Sequence, residues 1–101
     1  MSQSAATKEQ TRTYVARAER VVSHHVVEIS GPTTNAFRSR IRNVSSTGML
    51  IDHLGQISVG DVVSATLPGA GAIIGTVVRL KDARAGVRFI KAISLAAYRA
   101  A

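Results

Sequence analysis

Three residues near the middle of the chain stand at intervals suited to a tight turn whose backbone a ligand could approach closely. Asn43, Ser45 and Gly48 occupy the stretch Arg42-Asn43-Val44-Ser45-Ser46-Thr47-Gly48-Met49-Leu50-Ile51-Asp52. Strand side chains alternate faces, so Asn43 and Ser45 would bring an amide and a hydroxyl side by side. Gly48 has no Cβ, which lets the turn take a positive φ and lets a ligand approach the backbone closely. Asn and Ser also bond readily to nearby backbone, so the same residues suit an ordinary strand-to-strand turn. Around them the charge is arginine: ten of the thirteen basic residues are Arg, the formal net charge is +7, and the pI is near 11.2. Guanidinium grips phosphate and the guanine O6/N7 edge in bidentate geometry, whereas lysine acts as a point charge. The pattern fits recognition of an anion, not bond breaking.

Other chemistry lacks its residues. The sequence has no cysteine, which excludes disulfides and thiolate ligands. His24 and His25 are adjacent in a strand-like run and face opposite sides, and His53 is the third histidine, so no metal site is expected. No Gly-x-Ser-x-Gly nucleophile signal occurs, and no histidine–acid pairing can be argued. Gly69-Ala70-Gly71-Ala72 is glycine-rich but lacks a following lysine and joins two strands, so it reads as a hairpin tip. Tyr14, Phe37, Phe89 and Tyr98 are too scattered for a base-stacking platform. No catalytic residue and no cofactor are expected, and the protein does not read as an enzyme.

The elements that must position the polar cluster are strands. Phe37 and Ile41 share one parity while Arg38, Arg40 and Arg42 share the other, so the apolar pair can enter a core as three guanidiniums face solvent. Strand patterns cover Val21–Ile29, Ala36–Val44, Met49–Asp52, Asp61–Leu67, Ile73–Leu80 and Ala85–Ile90. Turn signals separate them at Ser30-Gly31-Pro32, Pro68-Gly69-Ala70-Gly71 and Lys81-Asp82-Ala83-Arg84. Six short strands predict an all-β fold, a six-stranded antiparallel barrel, since closure removes exposed edges. The expected core is Phe37, Ile41, Leu50, Val63, Leu67, Val77, Val87 and Phe89. Ser94 to Ala101 predicts a short C-terminal helix capped by Ser94, with Leu95 and Tyr98 packing back on the barrel.

At 101 residues there is material for one core. Residues 1–16 read as a flexible or partly helical N-terminal arm, with Thr7-x-x-Gln10 as a capping box for a helix to about Glu19, and 17–101 as the domain. The N-terminus has no apolar signal region, and the longest uncharged run, Val62 to Val78, is broken by Pro68, Gly69, Gly71 and Gly75. A soluble cytoplasmic protein is expected.

Asn43-x-Ser45-x-x-Gly48 resembles the Asn/Asp-x-Ser-x-x-Gly signature of PilZ domains, small bacterial receptors for cyclic di-GMP. Arg17 and Arg20 upstream, Gly60-Asp61-Val62-Val63, and Ala85-Gly86-Val87-Arg88-Phe89 extend the resemblance from about Arg17 to Ile90. It implies a barrel that binds cyclic di-GMP reversibly and relays the signal to a protein partner. Asn43 and Ser45 would contact guanine or ribose-phosphate groups, Gly48 would permit close backbone approach, and Arg17 and Arg20 would wrap the ligand. The family generally carries Arg-x-x-x-Arg before the first strand. Here Arg17-Ala18-Glu19-Arg20 is one residue tighter and places a carboxylate between the arginines. That departure favours an alternative, a PilZ-like adaptor that does not bind the nucleotide. The charge favours a third reading, a small basic barrel that binds nucleic acid, and the scarcity of aromatics opposes it.

Overall fold

Runs of alternating apolar residues, each ended by a turn former, set the architecture. The computed structural model describes residues 19–101; the arm, its expected helix, Arg12 and Arg17 lie outside the described residues. In chain order the elements are β1 (Val21–Val22), β2 (Val26–Gly31), β3 (Thr34–Val44), β4 (Gly48–Asp52), β5 (Val62–Leu67), β6 (Gly71–Lys81), β7 (Arg84–Phe89) and α1 (Leu95–Arg99). All pairings are antiparallel, and the order β3-β2-β5-β6-β7-β4 returns to β3 to close a six-stranded barrel. The short β1 adds only Val21 and Val22, opposite Val44 and Asn43.

The expected strand Val21–Ile29 is therefore two pieces against the same neighbour. Ser23 to His25 leave the ladder but stay tied to β3: Ser23 N donates to Arg42 O at 3.0 Å, and Ile41 N donates to His25 O at 2.8 Å. The break turns Ser23 inward, where it is buried and its hydroxyl bonds the Tyr98 phenol. Tyr98 also meets the His25 ring edge-on, with centroids 5.5 Å apart. Ser94 caps α1 by accepting from Ala97 N at 3.1 Å, as its sequence position predicts. Arg99, in the last turn, pairs with Glu19. The helix is thus fastened to the segment that enters the barrel.

The core is aliphatic. Ile29, Ile41, Val44, Met49, Ile51, Val63, Leu67, Val77 and Ala85 are essentially inaccessible, with Val87 and Phe89 beside them. Burying each large aliphatic side chain contributes about 1.5–3 kcal/mol. Two expected core members differ. Phe37 is half-buried at the margin, and Leu50 points out of the barrel, because Met49 and Ile51 take the inward positions opposite Val87 and Ala85. A run of three apolar residues carries no parity, so the sequence does not say which of them faces in.

The six junctions of the ring are unequal. The β5–β6 and β6–β7 ladders each run over six residue pairs, whereas β2 and β5 share the single bridge Ser30–Ser64, supplemented by a 3.3 Å contact between the two hydroxyls.

Candidate functional site

The polar cluster sits where β3 turns into β4, and a β-bulge aims it. Ile41 pairs with Ile51 and Asn43 with Leu50, so Arg42 is an extra residue on β3. Strict alternation would send Asn43 inward with Ile41; the bulge turns it out and sends Val44 into the core instead. Because β1 pairs Val22 with Asn43, the residue just before β1 lands beside it. Arg20 Nη1 donates to Asn43 Oδ1 at 2.6 Å, across 23 residues of sequence.

Ser45 and Gly48 serve the turn. Ser45 is only 1% exposed. Its hydroxyl accepts from Gly48 N at 3.1 Å and Thr47 N at 3.3 Å, while Ser45 N donates to Gly48 O at 2.8 Å. The sequence placed its hydroxyl next to the Asn43 amide as a ligand contact, and the fold spends it inside the loop. Gly48 does not take a positive φ. Its lack of a side chain answers a different need: a Cβ there would lie 2.5 Å from Val87 O, so only glycine lets β4 press against β7.

Beside this turn lies an open cleft of about 330 Å³, lined by Arg20, Thr47, Gly48, Arg79, Gly86 and Arg88 among others. Arg79 reaches it through a second bulge. Val77 pairs with Val87 and Arg79 with Gly86, which leaves Val78 as the extra residue on β6. Arg79 shares parity with buried Val77, so the bulge is what keeps its guanidinium out of the core. Arg88 projects from β7 opposite Gly48. Three guanidiniums from separate elements therefore border one cleft, the geometry of an anion receptor.

Two of the three arginines of β3 are engaged elsewhere. Arg40 Nη2 donates to His24 Nδ1 at 2.6 Å, and Arg42 Nε donates to Asp52 at 2.9 Å. Arg84 reaches the same carboxylate at 3.1 Å. The Arg42 hydrogen bond, with the positive charges of Arg42, Arg84 and Arg40, holds the Asp52 carboxyl below the usual aspartate range.

The order of elements, the closed barrel and the loop between β3 and β4 agree with a family assignment: the PilZ domain model matches residues 11–100. The chain belongs to the PilZ family. PilZ domains are binding and adaptor domains, and the family is known to bind cyclic di-GMP. A search of curated proteins found no match to this chain. Among the described residues, no helix of this PilZ domain is long and apolar enough to cross a membrane.

Of the five residues singled out in the sequence, the fold joins Arg20 to Asn43 and Ser45 to Gly48 around one turn, while Arg17 lies outside the described residues. Arg79, Arg88 and Thr47 were not foreseen. Arg88 had a signal, since Val87 and Phe89 on either side of it read as inward. Arg79 had none, because its bulge is invisible in the alternation.

Proposed function

We propose that this PilZ domain is a receptor for cyclic di-GMP, which it binds in the cleft beside the β3–β4 turn and relays to a protein partner. The observation that carries the reading is the contact between Arg20 and Asn43 at 2.6 Å, which joins an arginine that lines the cleft to the signature residue Asn43. Asn43 holds the Arg20 guanidinium at the β3–β4 turn. With the dinucleotide bound, Arg20 and Arg17 engage guanine and phosphate, and Asn43 contacts base or ribose-phosphate. Gly48 lets β4 lie close against β7 beside the cleft, and Ser45 acts by fixing the loop. Apolar side chains left exposed on the outer wall, such as Val62 and Ile74, offer the partner its surface.

Isothermal titration of cyclic di-GMP tests this. Arg17→Ala and Arg20→Ala should each weaken binding by about 1.5–3 kcal/mol, the range for a hydrogen bond to a charged group. Asn43→Ala should cost less. An Arg17/Arg20 double variant that still binds with wild-type affinity would exclude the wrap.

The adaptor that binds no nucleotide has one observation in its favour: Glu19, between the two arginines, is paired with Arg99 of α1, which ties the linker to the helix through protein contacts. No heat on titration would leave that reading standing. Binding to nucleic acid would show a steep salt dependence, near −0.9 in log–log slope per phosphate on duplex DNA. Tight binding that survives physiological salt, with no response to cyclic di-GMP, would favour it instead.

A further inference from the structure

We infer that the seam between β2 and β5 is a strand-addition site, which takes an extended, apolar, basic segment of a partner protein. This gives a chemistry to the partner of the reading above, on which it rests only for there being one. β2 and β5 are antiparallel and meet at the Ser30–Ser64 bridge. On one side of that bridge they converge: a Cβ on Gly31 would lie 2.2 Å from Val62 O. On the other side they part, since the next rungs, Glu28 with Thr66 and Val26 with Pro68, are not made. Proline has no N–H, so Pro68 could not supply the donor that the last rung requires.

The backbone groups left at this fork can be assigned. Ile41 N donates to His25 O, which turns the His25 carbonyl toward β3. Successive residues of a strand direct their N–H and C=O to opposite sides. Those of Val27 and Ile29 therefore face β3, and those of Val26 and Glu28 face the seam. On β5 the bond from Val77 N to Asp61 O turns Asp61 toward β6, and the same count leaves Thr66 facing the seam. An open edge of this kind is a template for another strand.

Between the parted strands lies an open cleft of about 590 Å³, with Val26, Val27 and Glu28 on one bank and Ala65, Thr66 and Pro68 on the other. Val27 and Ala65 belong to the core, yet each is 8% exposed, whereas Ile41 and Ile51 on the β3–β4 side are fully covered. Alternate residues of an added strand would find apolar contact at Val27 and Ala65, and the others would lie over the exposed Val26. Charge completes the partner's chemistry. In a chain of net charge +7, Glu28 is the one charged side chain, among the described residues, that lines this cleft. Arg38 stands opposite Glu28 on β3, on the side away from the cleft, and does not line it. An outward lysine or arginine of the added strand pairs with Glu28. A second copy of this chain, paired edge to edge about Glu28, would set two carboxylates opposite each other, which is unfavourable.

The test titrates the full chain, with no nucleotide present, with a short synthetic peptide of alternating valine and threonine around one central lysine, followed by amide NMR. The amide protons of Val26 and Glu28 should move downfield saturably as they gain acceptors, while that of Val87 stays in place. Glutamate in place of the lysine should weaken binding by about three- to tenfold, and Glu28→Lys should reverse that order. Val26→Pro removes a donor that β3 does not use, so it should keep the fold while costing about two- to tenfold in affinity. If it unfolds the chain, the Glu28 charge swap decides alone. No shift at Val26 and Glu28 up to millimolar peptide, or an order that Glu28→Lys leaves unchanged, would overturn the inference. So would a concentration-dependent dimer in sedimentation that moves the same amides without peptide, which would give the edge to a second copy. Each of these results leaves the cyclic di-GMP titration to be judged separately.

Discussion

Ser45→Ala separates a loop-forming role from direct ligand contact. The substitution removes the acceptor of two backbone N–H groups, those of Gly48 at 3.1 Å and Thr47 at 3.3 Å. Thr47 is exposed, so water replaces the lost bond at almost no cost. Gly48 is buried, and a buried donor left without a partner costs about 1–3 kcal/mol. For a domain of this size each kcal/mol lowers Tm by roughly 4–8 °C, so a fall of at least about 4 °C is expected in a calorimetric or circular-dichroism melt. Affinity for cyclic di-GMP, measured well below that Tm, should fall by less than about tenfold, because one neutral hydrogen bond is worth about 0.5–1.5 kcal/mol at most in a loosened loop. An unchanged Tm together with a larger loss of affinity would refute the argument and make the hydroxyl a ligand contact.

Gly48→Ala should destabilise the fold by about 1–3 kcal/mol, since its Cβ would meet Val87 O at 2.5 Å and force β4 from β7; urea denaturation measures it, and wild-type stability would contradict the packing role. Asp52 has a lowered pKa, so its stabilising effect is full above the ordinary aspartate value and disappears as pH falls through the lowered folded value. Asp52→Asn should flatten the acid limb of stability against pH, and an unaltered limb would show that the Arg42 and Arg84 contacts contribute nothing. Tyr98→Phe removes the phenol partner of the buried Ser23 hydroxyl, which still accepts from His25 N at 3.3 Å, and should cost about 1 kcal/mol in thermal stability. A Tm equal to that of the wild type would mean that the Ser23–Tyr98 hydrogen bond contributes nothing to holding the helix.

Most of the barrel was legible because alternation survives in short strands. Val63, Ala65 and Leu67 on β5, or Ala85, Val87 and Phe89 on β7, read directly as inward residues, and all are buried. Legibility failed where alternation was interrupted or saturated. Met49-Leu50-Ile51 offers three apolar choices for two inward positions, and the outward one, Leu50, became part of the cleft's surroundings. The bulges at Arg42 and Val78 reset parity without any compositional mark. They are also what bring Asn43 and Arg79 to the surface, so the same local irregularity that builds the site hides half of it from a reading of the sequence. Ser45 shows a further limit: a hydroxyl in a signature position looks alike whether it serves a ligand or the loop, and only its hydrogen-bond partners tell the two apart.

The single Ser30–Ser64 bridge has a consequence for where the barrel breathes. Amide protons exchange with solvent through local openings, and an opening is cheapest where fewest ladder bonds must break. Exchange should therefore be fastest along the facing edges of β2 and β5, and slowest in β6 and β7. The cleft is built on β4, β7, β6 and the β3–β4 turn, away from that seam in the ring. The wall that carries the proposed site is the one expected to exchange slowest. Among the described strands the easier openings fall at the β2–β5 seam, beside the exposed Val26.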